Sequence, residues 1–179
     1  ISRVDPKVWE LFKKHHYLTE EVNKAFIFLL YEWNDKPVAM GVIGRQIGKG
    51  QGYSLRGSRT VVLPDYQGLG IGSYISNFQA GIAKNRGAKY FTKTVNPALG
   101  EYRNKKTELW SPTGHNGRQR NDENYESIVY KTLKQRPSYC HSYCGPPIEG
   151  YDELLDPIDK VRMMSRVDLD LVQKFWDIE

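Results

Sequence analysis

Cysteine is nearly absent: the 179 residues hold two, Cys140 and Cys144. In an extended stretch these would lie ~13 Å apart at ~3.3 Å per residue, beyond the ~7 Å between Cα atoms that a disulfide tolerates. A zinc site needs more ligands at better spacing, so the pair reads as ordinary buried thiols. No apolar run approaches the ~20 residues that cross a bilayer, and no membrane partner is expected. No signal-peptide pattern follows Ile1, so the chain is read as trimmed at its start and as soluble and cytoplasmic. Internal repeats and low-complexity tracts are missing. So is a Gly-Lys-Ser/Thr ending to any glycine-rich turn, which excludes the P-loop of nucleotide triphosphatases.

What is present suits a globular chain. Hydrophobic residues make up 39% and aromatics 12%, enough to argue against disorder, and the length suits one domain with a proper core. The net charge of +5 hides a division. Residues 84–120 carry nine basic groups against Glu101 and Glu108, whereas residues 149–179 carry nine acidic against four basic. A basic block suggests a polyanionic partner, with nucleic acid first among candidates; a solvated surface is the plain alternative.

The most informative segment runs from Arg59 to Ser73. Val61, Val62 and Leu63 form a β-branched apolar run that Pro64-Asp65 stops. Beyond the turn, Ile71, Tyr74, Ile75, Phe78 and Ile82 recur at helical spacing. Between them, Gly68, Gly70 and Gly72 remove the Cβ atoms that would keep a ligand from the backbone. The first amides of the helix lack internal partners and sit at the positive end of its dipole. A turn of this kind holds an anion such as a phosphate or pyrophosphate. The dinucleotide fingerprint does not fit, because the order is Gly68-x-Gly70-x-Gly72 and no acidic residue follows near residue 90.

Along the chain, Asp5-Pro6 predicts a capped helix with Trp9, Leu11 and Phe12 on its apolar face. Strands are expected at 25–33, 38–43, 58–63, 90–94, 125–133 and 138–144, with a turn at 34–37 and a flexible loop at 48–52. The glycine-turn helix ends at Gly87, a short helix starts at Asn96-Pro97 and runs toward Arg103, and 111–124 is a polar loop. The expected domain covers 1–150. Residues 151–179 form a helical C-terminal extension packed on it, with Val167, Leu171, Phe175 and Ile178 on one stripe.

Gln67-Gly68-Leu69-Gly70-Ile71-Gly72 fits Gln/Arg-x-x-Gly-x-Gly/Ala and resembles the acetyl-CoA pyrophosphate loop of the GNAT (Gcn5-related N-acetyltransferase) superfamily. The element order agrees with that resemblance, which implies a mixed α/β fold with a mostly antiparallel central sheet flanked by helices. Further strings, His15-His16-Tyr17-Leu18, Asn23-Lys24-Ala25, Pro37-Val38-Ala39, Arg59 to Asp65, Asn96-Pro97-Ala98 and Tyr143-Cys144-Gly145, resemble the phage Mom-like DNA-modification subgroup from about residue 4 to 147. That narrower resemblance implies an enzyme adding an acetamido or acyl-type group to the exocyclic amine of adenine, an anti-restriction role in the host cell cytoplasm, and iron as a candidate metal. The alternative is an acetyl-CoA-dependent N-acetyltransferase acting on a small-molecule or protein amine. A degenerate fold used as a binding module is a third reading, which the intact loop opposes. Oligomeric state is left between monomer and homodimer.

The resemblance assigns Val61, Val62, Leu63, Gln67, Gly68, Leu69, Gly70, Ile71, Gly72, Ser73 and Asn96 to acetyl-CoA or a related acyl donor, with Asn96 equally suited to capping its helix. Acyl transfer to an amine needs a base, a polarised carbonyl and an acid for the leaving thiolate. His16 is the candidate base, and Tyr17 and Arg59 are further catalytic candidates, Arg59 on the central strand as a substrate contact or a partner of a buried carboxylate. Tyr102 is the first candidate acid, ahead of Tyr139 and Tyr143. His15, Thr94, Arg103, Lys105, Arg118 and Arg120 are candidate substrate or DNA contacts. Tyr17, Trp110 and Tyr139 could stack on a base flipped from duplex DNA.

Overall fold

A computed structural model describes residues 1–16, 21–46, 52–118 and 137–156. Seven strands form a single sheet in the order β1-β2-β3-β4-β5-β7-β6. They are β1 (Ser2–Val4), β2 (Ile27–Trp33), β3 (Lys36–Arg45), β4 (Ser54–Val62), β5 (Lys89–Thr94), β6 (Trp110–Pro112) and β7 (Tyr139–Tyr143). Every pairing is antiparallel except β4 with β5. This is the expected mixed α/β architecture. β1 and β6, at three residues each, are too short to show an alternating pattern and were not legible as strands.

The sheet opens between β4 and β5. Their parallel pairing covers only Ser54–Gly57 against Lys89–Thr92. Beyond it β4 stays with β3, where Met40 opposes Val61, while β5 stays with β7, where Thr94 opposes Tyr139. The two strands therefore part like a fork.

Alternation along β4 gives the fork two sides. Val61 shares a core cluster with Val8, Trp9, Phe12, Phe28, Leu30, Met40 and Val42. Val62 instead packs against the other cluster, which holds Leu29, Ile43, Ile75, Phe78, Ile82 and Tyr90. The first cluster is closed by the segment after Asp5, which is 3₁₀ (Pro6–Leu11, then Lys13–His15) rather than the expected α-helix. Its cap is as read: Asp5 accepts from the Lys7 amide at 2.8 Å. The second cluster is closed by α1 (Ile71–Asn85), whose apolar spacing buries Ile75, Phe78 and Ile82. Gly87, at φ 72°, follows the end of α1, and the Ala88 amide returns to the Ala83 carbonyl at 2.9 Å.

Asn34 and Asp35, both at positive φ, make the two-residue turn into β3. Lys36 and Pro37, expected in that turn, open the strand instead. A second helix, α2 (Pro97–Lys105), follows β5 with Asn96 as its cap. The expected strand at 125–133 lies outside the described residues, as does the expected tail helix beyond residue 156. Residues 151–156 continue the packing of the sheet: a 3₁₀ turn, Asp152–Leu155, buries Leu154 and Leu155 in the second cluster. Asp156 is held by Arg86 at 2.9 Å and by Arg3 through its carbonyl. Cys140 is a buried thiol as expected, but Cys144 is exposed. Among the described residues no helix is long and apolar enough to cross a membrane.

Candidate active site

A cleft of about 750 Å³ runs along the fork. One end is the glycine turn. Gly68 and Gly70 hold φ near +80°, where a side chain would be strained, and the space over their Cα atoms is open. Gly70 is the cap residue of α1 and no side chain caps the helix. The helix starts its ladder with the Tyr74 amide to the Gly70 carbonyl at 3.0 Å, leaving the preceding amides to an incoming anion. Gln67 does not point outward: its Nε2 donates to the Val62 carbonyl at 2.9 Å and ties the turn back to β4.

The backbone of β4 makes the next stretch of wall. The Leu63 amide is committed to the Val38 carbonyl at 2.9 Å. Because strand residues alternate the edge to which their backbone groups point, Thr60 and Val62 present theirs to the cleft. This corrects the expectation for Leu63, which does not line the cleft; Leu69 does not either, and at 71% it is exposed. Val61, Val62, Gln67, Gly68, Gly70, Ile71, Gly72, Ser73 and Asn96 all do. Asn96 also caps α2 by accepting from the Leu99 amide at 3.3 Å.

On the side of the 3₁₀ turns, His15, His16 and Arg59 form the wall. The His16 ring meets Trp9 edge-on at 5.8 Å. Arg59, on the same face of β4 as Val61, donates to the carbonyls of Ser58 at 3.0 Å and Glu21 at 3.1 Å. Tyr17 lies outside the described residues. On the α1 side the closed end of the fork has a polar floor of Ser76, Gln79, Tyr90, Thr92 and Arg103. Tyr90 donates to Gln79 Oε1 at 2.9 Å, and burial holds its hydroxyl well above the usual phenol range. Arg103 donates to Ser76 Oγ at 2.7 Å, with its guanidinium 5.0 Å from the Trp110 ring centroid.

Several expected residues stand elsewhere. Tyr102, Tyr139 and Tyr143 do not line the cleft. The Tyr102 hydroxyl accepts from Asn77 at 2.7 Å, and Asn77 accepts from the Trp110 indole at 2.9 Å, so this tyrosine joins α2 to α1. Trp110 is fully buried and offers no stacking face. Tyr139 packs over Gly100, where an added Cβ would meet its ring. Sequence reasoning missed Ser76, Gln79, Tyr90 and His141. The first three sit among apolar residues at helix or strand spacing, which reads as plain core. His141 is fully buried on β7 opposite Thr92, with Nε2 2.9 Å from Asn104 Oδ1. Burial first, and Arg103 second, push its pKa down to about 4.

The basic block of residues 84–120 does not form one surface at the cleft. Lys93, Thr94 and Arg103 line it, but Arg103 is 3% exposed, not the surface position its reading as a phosphate contact assumed. Lys84 is bound to the carbonyls of Cys144 and Gly145, Arg86 to Asp156, and Lys106 to Glu108. Lys105 and Arg118 are exposed and do not line the cleft; Arg120 lies outside the described residues. No aspartate or glutamate lines the cleft among the described residues. Nor do these residues contain a group of three or more His, Cys, Asp or Glu able to hold a metal, so the expected iron has no donor set among them.

The Acetyltransferase (GNAT) family model matches residues 3–104. No curated protein sequence matches the chain significantly. Among solved structures, the ribosomal-protein-S18-alanine N-acetyltransferase from Escherichia coli superposes with a TM-score of 0.54 at 10% identity, covering 83% of this chain and 96% of that one. That likeness carries the fold alone. A GNAT acetyltransferase from Elizabethkingia anophelis with acetyl-CoA bound gives 0.48 at 13% identity, with 77% and 80% covered. The NatB acetyltransferase complex bound to a bisubstrate inhibitor gives 0.49 at 15%, with 84% and 93% covered. None of these findings points to the Mom-like subgroup. The family match spans more than half of the sequence, from β1 through α2: the chain belongs to the GNAT acetyltransferase family.

Proposed function

We propose that this chain is an acetyl-CoA-dependent N-acetyltransferase acting on an amine of a small molecule or protein. The observation that carries the reading is the continuity of the cleft. Uncapped amides at Gly68–Ser73 open directly onto the free backbone edge of β4 and end at the fork. The residues fit the donor: open space over glycines at positive φ admits a pyrophosphate, and the edge of β4 beyond Gly57, which pairs with no strand although Gln67 takes the Val62 carbonyl, suits an amide-bearing arm. Acetyl-CoA held there would supply the acetyl group as an activated thioester.

The protein's own residues would do the rest. Backbone amides on the free edge of β4 hold the carbonyl oxygen and favour the charge that develops on it. His16, on the opposite wall, takes the proton that the attacking amine loses. None of the three tyrosines expected as acid reaches the cleft, so the leaving thiolate takes its proton from solvent.

DNA-base modification is the weaker reading, because the basic block that motivated it is divided among unrelated contacts. The deciding experiment is acetyl-CoA titration followed by detection of free thiol with a panel of peptide and small-molecule amines, beside nucleoside mass spectrometry of DNA incubated under the same conditions. Thiol release dependent on an amine, with unaltered nucleosides, is the expected outcome. A new nucleoside mass, or no acetyl-CoA binding, would overturn the reading.

A further inference from the structure

From two strand glycines near the fork we infer that Tyr90, clamped by Gln79, is the stop that limits the donor's acyl group to acetyl and turns longer chains away; the inference rests on the donor reading of the cleft. A donor anchored by its phosphates at Gly68–Ser73 runs along β4 toward the point where that strand rejoins β5, so its acyl group is the part that meets the closed end. Tyr90 is in register with Leu55, yet its hydroxyl reaches forward to Gly57, the last residue of β4 paired with β5. A Cβ at Gly57 would stand 2.8 Å from that hydroxyl, so the phenol fills the space that a side chain of β4 would take. Glycine inside a strand marks such a close approach. Gly57, Gln79 and Tyr90 all line the cleft.

The phenol is not free to swing aside. Its hydroxyl donates to Gln79 Oε1 at 2.9 Å, and both residues are buried. Gln79 is fixed in turn, because its amide lies against Gly41 of β3, where an added Cβ would collide with Nε2. On its other side the Tyr90 ring stands 6.4 Å from the ring of Trp110, which is fully buried. Moving the hydroxyl would leave Gln79 Oε1 buried without its donor, which costs free energy. The stop is polar as well as rigid: an alkyl chain pressed onto the phenol and the buried Thr92 offers neither hydroxyl a hydrogen bond. Acetyl asks for the least space of any alkyl acyl group. Every methylene beyond it has to displace a packed side chain, and close-packed interiors resist that.

The test is calorimetric titration of the chain with CoA, acetyl-CoA and butyryl-CoA. Butyryl-CoA is expected to bind about ten- to a hundredfold more weakly than acetyl-CoA, the scale of forcing extra methylenes into a filled site. In Tyr90→Leu, which removes the far end of the phenol, that ratio should fall to about threefold or less. Butyryl-CoA should also bind this variant tighter than it binds the parent chain, a gain that general damage to the fold does not produce. Should Tyr90→Leu lose its fold by circular dichroism, Tyr90→Phe, which keeps the ring, decides instead, with the ratio expected to fall about threefold. Binding of CoA with equal affinity for the two acyl forms in the parent would overturn the stop and leave the donor reading standing. A ratio unchanged in the folded variant would also overturn it. No binding of CoA in any form would overturn both.

Discussion

At its open end the cleft is walled by backbone: glycines at positive φ, the first amides of α1 and the free edge of β4, all within residues 58–73. At its closed end it is walled by side chains, with Ser76 and Gln79 from α1, Tyr90 and Thr92 from β5, and Arg103 from α2. The first end is a local object, complete as soon as a strand runs into a helix through that turn. The second exists only after three elements have packed. Backbone can bind a phosphate without any particular side chain, so its recognition is generic; a floor of converging side chains sets what else is accepted. The ends should therefore respond differently to substitution.

The largest expected effect is at the open end. Ser73, in the first turn of α1, lines the cleft. In Ser73→Asp a carboxylate faces the site of the donor's phosphates, and CoA affinity should fall about a hundredfold, ~3 kcal/mol. The same charge suits the helix N-terminus and should raise the stability of the free protein by about 0.3–1 kcal/mol. Titration calorimetry and denaturant unfolding would read the two. Loss of both affinity and stability would mean that the turn is a structural element and not an anion site.

Next comes His141, which sits beneath the closed end beside Thr92. Its pKa in the folded protein is pushed down to about 4 by burial and by Arg103, against ~6.5 when unfolded. Between these values the unfolded chain binds the extra proton, so stability from this group is complete above about pH 6.5 and is lost as pH falls toward 4. The loss is on the order of 3 kcal/mol at most. Unfolding midpoints taken at pH 7.5, 5.5 and 4 should decline in the parent chain and decline less in His141→Gln. Identical pH profiles would remove His141 from the account of the floor.

What could be read in the sequence follows the same division. The glycine turn, the strand before it, the helix after it and the Asp5 and Asn96 caps depend on residues a few positions apart, and each stands where spacing put it. The fork could not be read from spacing, since no local signal says where β4 and β5 stop pairing. Arg103 is the instructive miss. Within Tyr-Arg-Asn-Lys-Lys it reads as one of several surface cations, yet α2 turns it inward onto Ser76 and Trp110 while Lys105 stays outside. Tyr102 was displaced for the converse reason: beside a buried arginine on a short helix it faces α1, where Asn77 holds it. Neither direction is fixed until α2 is packed.

Gln67 tests the boundary between the two kinds of recognition, and its effect should be the smallest. Its place in the motif suggests a ligand contact, but its amide is spent on the Val62 carbonyl, five residues back. That bond fixes the turn against the strand whose free edge continues the cleft, so the side chain positions backbone donors and need not touch the ligand. Gln67→Met removes one exposed hydrogen bond, about 0.5–1.5 kcal/mol, and keeps the length and apolar stem of the side chain. CoA affinity should fall two- to fivefold with little change in Tm, and Gln67→Glu, which cannot donate to the carbonyl, should fall further because it also faces the phosphates. If Gln67→Met cost as much as Ser73→Asp, the open end would depend on a side chain after all, and the contrast between its two ends would fail at the point where it was read most easily.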